Sequence, residues 1–249
     1  MSNTTTLEKK AKGIRKDVLE LSLKYKDGHI APAFSVVEIL AALYHEILNK
    51  DDKIILSKGH GCLSLYASLI DKGFNPKISG HPDVDVKQGI HCTTGSLGHG
   101  LPIGVGMAFA KKFKKEKGHI FVIIGDGECQ EGTIWESLNL AQKYKLDNLT
   151  VIVDYNKLQA LTTIKEVMSE TNLRAKFEAF GCQVMEINGH NFNELLDNLS
   201  TTKIKKNIPR VVIADTIKGK GLSFMENKPE WHSRIPQGKL LEQAYEELK

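Results

Sequence analysis

Four short runs rich in Val and Ile recur through the second half of the chain, at residues 120–124, 149–153, 183–187 and 211–214. Between them, around residues 131–144, 171–180 and 191–199, apolar side chains return at three- and four-residue steps. Runs of strand length alternating with helical ones leave few folds open. Strands joined through helices run parallel, and a parallel sheet is covered by helices on both faces. The spacing therefore predicts an α/β fold of that kind. Helical periodicity also predicts helices over 7–26, 35–48 and 59–72, with a short apolar piece at 54–56 between the second and third. Residues 79–100, rich in Gly, Pro, His and Thr, read as an extended loop. Residues 101–112 read as a helix, 218–236 as a long polar tail and 239–249 as a closing helix. No repeat or low-complexity linker divides the 249 residues, so one domain over 1–249 is expected, with an N-terminal helical segment and a C-terminal extension.

Composition excludes several classes. With 41% hydrophobic and 26% charged residues the chain reads as soluble and globular. The longest apolar stretch, 101–110, is broken by Pro and Gly and is far short of the roughly 20 residues of a membrane span. The first ten residues have no apolar core, so no signal peptide is expected and the cytoplasm is the default location. The net charge is +4, but only four cations are arginine, the residue suited to bidentate phosphate and base contacts, so no nucleic-acid partner is expected. The lysine run at 111–115 closes a helical pattern, where cations complement the helix dipole. Cys62, Cys92, Cys129 and Cys182 form no CxxC pair, which speaks against a disulfide framework or a structural zinc site.

The strongest chemical signal lies where the first of the four runs ends, in Gly125-Asp126-Gly127. Parallel sheets bind ligands at the carboxyl ends of their strands. Two glycines permit a tight turn and close approach to a ligand. Asp126 offers a carboxylate to a hard cation, and the helix beginning near Glu131 aims free N–H groups at the same spot, which suits a phosphate. The next run ends in Asp154-Tyr155-Asn156, so Asp126 and Asn156 can share one metal across adjacent strand ends. A dinucleotide GxGxxG occurs nowhere, and the glycine spacing of a P-loop at 127–132 is followed by Thr133 in place of the lysine. A second constellation is the set of histidines that follow glycine, namely His29, His60, His81, His99 and His190. With the glycines at 95, 98, 100, 104 and 106 they suggest a polar ligand approached from many loops.

These residues resemble a known family. Gly125-Asp126-Gly127-Glu128-Cys129-Gln130-Glu131-Gly132, continuing through Trp135, Glu136 and Asn139 to Asn156, looks like the thiamine-diphosphate motif in its transketolase form. Leu56-Ser57-Lys58-Gly59-His60, Gly80-His81-Pro82, the segment 93–100, Lys218-Gly219-Lys220-Gly221 and Trp231-His232 match the same family in the same order. His99 stands where that family often has Gln, and Tyr155 where Asp or Asn is common, but neither change touches a ligating position.

The resemblance implies that Asp126, the Asn156 side chain and the Leu158 carbonyl hold Mg²⁺, or Ca²⁺ or Mn²⁺. It implies that His60, Gly127 and His232 lie near the diphosphate, with Asn156 beside them, and that Gly95, Ser96 and Leu97 line the cofactor's rings. His29, His81 and His232 would meet the sugar, His29 and His232 acting on its carbonyl. Glu131 would join an acid network between two active sites at a subunit interface. The implied activity is transfer of a two-carbon ketol unit from a ketose, or ketose phosphate, to an aldose.

Full-length members carry three domains and this chain matches the first. The resemblance therefore implies the N-terminal subunit of a split transketolase, partnered by a separate C-terminal chain with the pyrimidine-binding domain and assembled two plus two. The alpha-type subunit of a 2-oxoacid dehydrogenase shares Gly-Asp-Gly and a later Asn, but the Gln-Glu-Gly step, Gly-His-Pro and Trp-His favour transketolase. Retention of Asp126, Asn156, Glu131 and the histidines speaks against a non-catalytic binding subunit.

Overall fold

The structure, a computed structural model, describes residues 3–168 and 172–249. Five strands form one sheet: β1 Lys53–Leu56, β2 Ile120–Gly125, β3 Leu149–Tyr155, β4 Gln183–Asn188 and β5 Arg210–Asp215. Their order is β1-β2-β3-β5-β4 and every pairing is parallel. The helices are α1 Asn3–Tyr25, α2 Ile30–Phe34, α3 Val37–Ala42, α4 Cys62–Asp71, α5 Gly100–Lys114, α6 Gly132–Lys143, α7 Ile164–Val167, α8 Leu173–Ala179, α9 Phe192–Leu199 and α10 Lys239–Glu247.

Both faces of the sheet are covered, as the alternation of runs implies. Alternate side chains of a strand point to opposite faces. Phe121 and Ile123 of β2 enter a core shared with α1, α3, α4 and α9. Val122 and Ile124 enter the second core, with Leu101 and Val105 of α5, Leu138 of α6 and Phe177 of α8. Burial on both faces is why these strands read as unbroken apolar runs.

Several predicted elements change on folding. The piece at 54–56 is a full sheet member, β1, which pairs with β2 from Lys53↔Ile120 to Leu56↔Ile123. Three apolar residues are too few to reveal a period, so only the pairing identifies it. The helix expected over 35–48 is the short α3, continued by a π-type turn Leu43–Ile47, and a further short helix, α2, precedes it at Ile30–Phe34. The expected start of α8 at Thr171 lies outside the described residues, and the helix runs from Leu173 under an Asn172 cap. The loop 79–100 holds only a short 3₁₀ turn, Val86–Gln88, before α5 begins at Gly100. α7 has no forecast in the sequence pattern and is held by a capping box between Thr163 and Glu166. Among the described residues no helix is long and apolar enough to cross a membrane.

A buried ionic cluster joins the N-terminal helices to the far end of the sheet. Arg15 of α1 grips Glu38 of α3 with two nitrogens, at 2.7 and 2.8 Å. The Arg15 Nε donates to the Lys220 carbonyl at 2.8 Å. His190, which follows β4, donates from Nδ1 to Glu38 at 2.9 Å and accepts from the Ile217 N–H at 2.9 Å. Burial alone would raise the Glu38 carboxyl, but Arg15 and the His190 hydrogen bond hold it at about 2 instead of 4.5. A depressed folded-state value means stability that is fully present above pH 4.5 and lost as pH falls towards 2. The share lost is about 3 kcal/mol. Urea unfolding of the wild type at pH 5.5 and pH 3 should show about 2 kcal/mol of this loss, because pH 3 still lies above the folded value, and Glu38→Gln should remove most of the difference between the two pH values. Equal pH sensitivity in wild type and variant would show that Glu38 is not the group responsible.

Candidate functional site

The carboxyl ends of four neighbouring strands meet at one end of the sheet. β1 runs into Ser57-Lys58-Gly59-His60, β2 into Asp126, β3 into Asn156, and β5 into Thr216 and Lys218. A cavity of about 230 Å³ opens among them, lined by Lys58, His60, Asp126, Asn156, Lys218 and His232. The strand-end loops are tied to one another. Asp126 accepts from the Gly127 N–H at 2.8 Å and from the Lys157 N–H at 2.5 Å. Lys157 sits in the left-handed region, at φ 67°, which turns the β3 loop back towards Asp126. The Asn156 Oδ1 accepts from the Leu158 N–H at 3.1 Å, and Leu158 bridges to Thr163.

Beneath this turn lies Asp154, fully buried. It receives the buried Lys58 ammonium at 2.5 Å, the Ser35 hydroxyl at 2.8 Å, the Asn156 amide at 2.9 Å and a hydrogen bond from Thr216. Burial opposes its ionisation, but Lys58 and these donors hold the Asp154 carboxyl below its usual range. Asp126 has no such cation in contact. Burial and the Asp154 charge push it up to about 7. A divalent cation would offset that unfavourable negative charge. Carboxylate, amide and carbonyl oxygens are the hard donors that Mg²⁺, Ca²⁺ or Mn²⁺ take. No group of three His, Cys, Asp or Glu among the described residues has the arrangement of a metal cage. The protein's donor set at Asp126 is thus partial, as fits a cation whose other ligands are phosphate oxygens.

Above the turn four histidine rings cluster. The His29 centroid lies 6.1 Å from that of His60, 6.4 Å from His81 and 5.5 Å from His232, and His60 and His232 are 5.3 Å apart. Glycine makes two of the close approaches. A Cβ on Gly28 would sit 2.6 Å from the Ser233 backbone, so only Gly lets the His29 and His232 segments meet. A Cβ on Gly59 would sit 2.8 Å from the Gly95 nitrogen, where the β1 loop meets the segment before α5. Lys218, almost fully buried, donates to the Gln159 carbonyl at 2.7 Å and to His232 Nδ1 at 2.9 Å. Burial, then the Lys58 charge, pushes Lys218 down to about 8. Burial and neighbouring lysines push His60 down to about 2 and His232 down to about 3, so both rings are neutral at pH 7.

Residues 7–238 match the family described as transketolase, thiamine diphosphate binding domain. The chain belongs to the transketolase family. It is 41% identical over 265 residues to an apulose-4-phosphate transketolase subunit of Actinobacillus succinogenes, covering 98% of this chain and 96% of that one. It is 37% identical over 264 residues to the 6-deoxy-6-sulfo-D-fructose transketolase subunit SqwG of a Clostridium species, again covering 98% and 96%. The solved transketolase of Campylobacter jejuni superposes with a TM-score of 0.87 at 28% identity, covering 99% of this chain and 43% of that one. The chain thus spans less than half of the length of that transketolase and nearly all of the two subunit chains.

Within this transketolase fold, most of the residues singled out in the sequence come together. Asp126, Gly127, Asn156, Leu158, His60, His232, Leu97 and Glu131 all line the cavity. His29 and His81 join through the ring cluster. Gly95, at φ 147°, packs against His81, and Ser96 bonds to His99; neither residue lines the cavity. Glu131 precedes α6 at its N-cap position, makes no side-chain cap bond there, and is exposed at the rim. Two of the glycine-following histidines stand apart: the His99 ring, just before α5, bonds to Ser96 and the Leu97 carbonyl, and His190 serves Glu38. Lys58, Asp154, Glu128 and Lys218 carry no predicted role, yet the fold places all four at or under the site. Glu128 accepts from Ser57, from the Gly98 N–H at 2.8 Å and from the Gly125 N–H at 3.1 Å, joining three loops under the cavity. Lys58 and Lys218 lie inside matched motifs, but a charged residue gives no sequence sign that it will be buried.

Proposed function

We propose that the chain is the diphosphate-side subunit of a thiamine-diphosphate-dependent transketolase built from two kinds of chain, assembled two plus two in the cytoplasm. Its residues 1–249 would form one domain, and a separate C-terminal subunit would supply the pyrimidine-binding domain. The observation that carries this reading is the meeting of Asp126, Asn156 and Leu158 with His60, Lys218 and His232 in one cavity, in a chain covering 96% of an apulose-4-phosphate transketolase subunit.

Thiamine diphosphate, when bound, supplies the carbanion chemistry that breaks and remakes the bond between the second and third carbons of a ketose. This chain's part is positioning and proton handling. Asp126, the Asn156 amide and the Leu158 carbonyl would hold the divalent metal, Mg²⁺ or else Ca²⁺ or Mn²⁺. Neutral His60 and the Gly127 backbone would sit against the diphosphate, and Gly95, Ser96 and Leu97 along the cofactor's rings. Ring nitrogens that are neutral at pH 7 can donate or accept without a charge to be desolvated. His29 and His232 would hold and move protons at the sugar's carbonyl and hydroxyl oxygens, with His81 gripping the hydroxyls. Glu131, at the rim, would face the neighbouring subunit. The names of the two subunit relatives point to a ketose with an anionic end group, a phosphate or a sulfonate.

The test combines the chain with its co-purifying companion, thiamine diphosphate and Mg²⁺. Two-carbon transfer between ketose and aldose phosphates, without 2-oxoacid decarboxylation, is the expected outcome. Decarboxylation of 2-oxoacids without ketol transfer would replace the proposal with the dehydrogenase-type reading.

A further inference from the structure

His29 does not stand alone in the histidine cluster. Its backbone N–H and its ring Nδ1 both approach one oxygen of Asp27, at 3.0 and 2.8 Å. That carboxylate is largely enclosed, with 11% of its side chain exposed. Its second oxygen is buried without any hydrogen-bond partner, beside Gly80. A carboxylate kept only to shape a turn would satisfy both oxygens, because a buried unpaired acceptor costs about 1–3 kcal/mol. Asp27 instead directs its side-chain hydrogen bonds to His29 alone. Its backbone is pinned to the end of α1, where Ser22 donates to the Asp27 carbonyl at 2.5 Å and accepts from the Asp27 N–H at 3.2 Å. The carboxylate is thus aimed by the fold.

We infer that Asp27 is a positioning residue for His29, holding the neutral imidazole with its proton on Nδ1 so that Nε2 is left to accept a proton. His232 is set the other way. Its Nδ1 accepts from the Lys218 ammonium, so its neutral ring carries the proton on Nε2. The two rings meet edge-on, at 89°, one as acceptor and one as donor. This pairing gives a proton-accepting and a proton-donating nitrogen within one cluster, which a ketose hydroxyl and its carbonyl require together. The ketol-transfer reading enters only in naming the molecule that gives up the proton; the tautomer assignment stands without it.

The groups facing His29 are Asp27 on its own segment, His60 on the turn after β1, His81 on the loop before α5, and His232 with Lys218 behind it. Lys58 lies deeper, paired to Asp154. Asp27 is the one anion among them. Burial opposes its charge, but His29 donating to it from side chain and backbone keeps the Asp27 carboxyl below its usual range.

The experiment is long-range ¹H–¹⁵N correlation of the histidine side chains in the chain itself, titrated with pH. In the wild type, neutral His29 should show the Nδ1–H tautomer, a reading that needs no variant to fold. In Asp27→Ala the Nδ1–H tautomer should lose its majority, because no acceptor then holds that proton. A wild-type ring protonated on Nε2, or an Nδ1–H tautomer that persists in folded Asp27→Ala, overturns the proposal. In the assembled enzyme, Asp27→Ala should lower kcat/KM about tenfold, and Asp27→Asn, whose amide oxygen can still accept from Nδ1, should recover most of that loss. An assembled wild type with no ketol transfer would count against the functional reading and leave the tautomer result standing.

Discussion

Replacing Asp126 with alanine in the assembled pair of chains should weaken Mg²⁺-dependent binding of thiamine diphosphate by about 100-fold or more, because it removes the one carboxylate of a donor set that is otherwise amide and carbonyl. The same substitution should not unfold the chain. Asp126 is buried without a contacting cation, and that burial, with the nearby Asp154 charge added, pushes it up to about 7. In the metal-free protein its charge is therefore a burden on the fold rather than a support. Asp126→Asn keeps the shape and removes the charge, but the Gly127 and Lys157 N–H groups reach different oxygens of Asp126 and the amide can accept from only one of them. With the lost hydrogen bond offset by the relieved charge, it should stay folded and melt close to the wild type without metal. Calorimetric titration of cofactor with and without Mg²⁺, beside thermal melts of the metal-free chain, separates the two effects. Unchanged affinity, or collapse of the fold in Asp126→Asn, would remove Asp126 from the metal assignment. The contrast with Lys58 is instructive. Lys58 neutralises Asp154 permanently from inside the fold, whereas Asp126 above it has been left without a counter-charge in contact.

The second large effect concerns the chain alone. Without its companion it should transfer two-carbon units at least about 1,000-fold more slowly than the assembled pair. The acids that line the cavity explain why. Asp126 accepts from the turn's N–H groups and is the metal ligand we propose, and Glu128 is fully committed to Ser57, Gly98 and Gly125. Glu131 stands exposed at the rim. Neither Asp126 nor Glu128 is a free carboxyl, and Glu131 is the acid that we propose faces the neighbouring subunit. A positioned general acid or base is worth roughly 10²–10⁴ in rate, so an enzyme that lacks one is slow even with its cofactor bound. Adding the companion at equal concentration should restore the rate, with the restored activity tracking formation of the complex by light scattering. Full activity from the purified chain alone would show that it needs no second polypeptide.

How much of this was legible in the residues depends on distance along the chain. The Gly-Asp-Gly turn was readable because strand, turn and helix start are contiguous, and its placement at a strand's carboxyl end follows from parallel topology. Asn156 was readable for the same reason, one strand further on. The edge strand β1 was less so, since three apolar residues carry no period. The buried charges were not readable at all. Lys58 and Asp154 are 96 positions apart, and nothing local distinguishes them from solvated residues until they pair. The Asp27–His29 dyad sits within three residues, yet its significance depends on His60, His81 and His232 arriving from three other segments.

The sequence by itself determined the alternation of strands and helices, the turn that presents Asp126, and the family to which these motifs belong, because each is set by neighbours within one or two turns of chain. Only the tertiary structure decided which of the glycine-following histidines share a site, which lysines and carboxylates are buried as partners, and which acids remain free to act. Those outcomes are set by burial and by electrostatics between segments far apart in sequence, and a charge acquires its partner, its protonation state and its role only once folding has removed it from water.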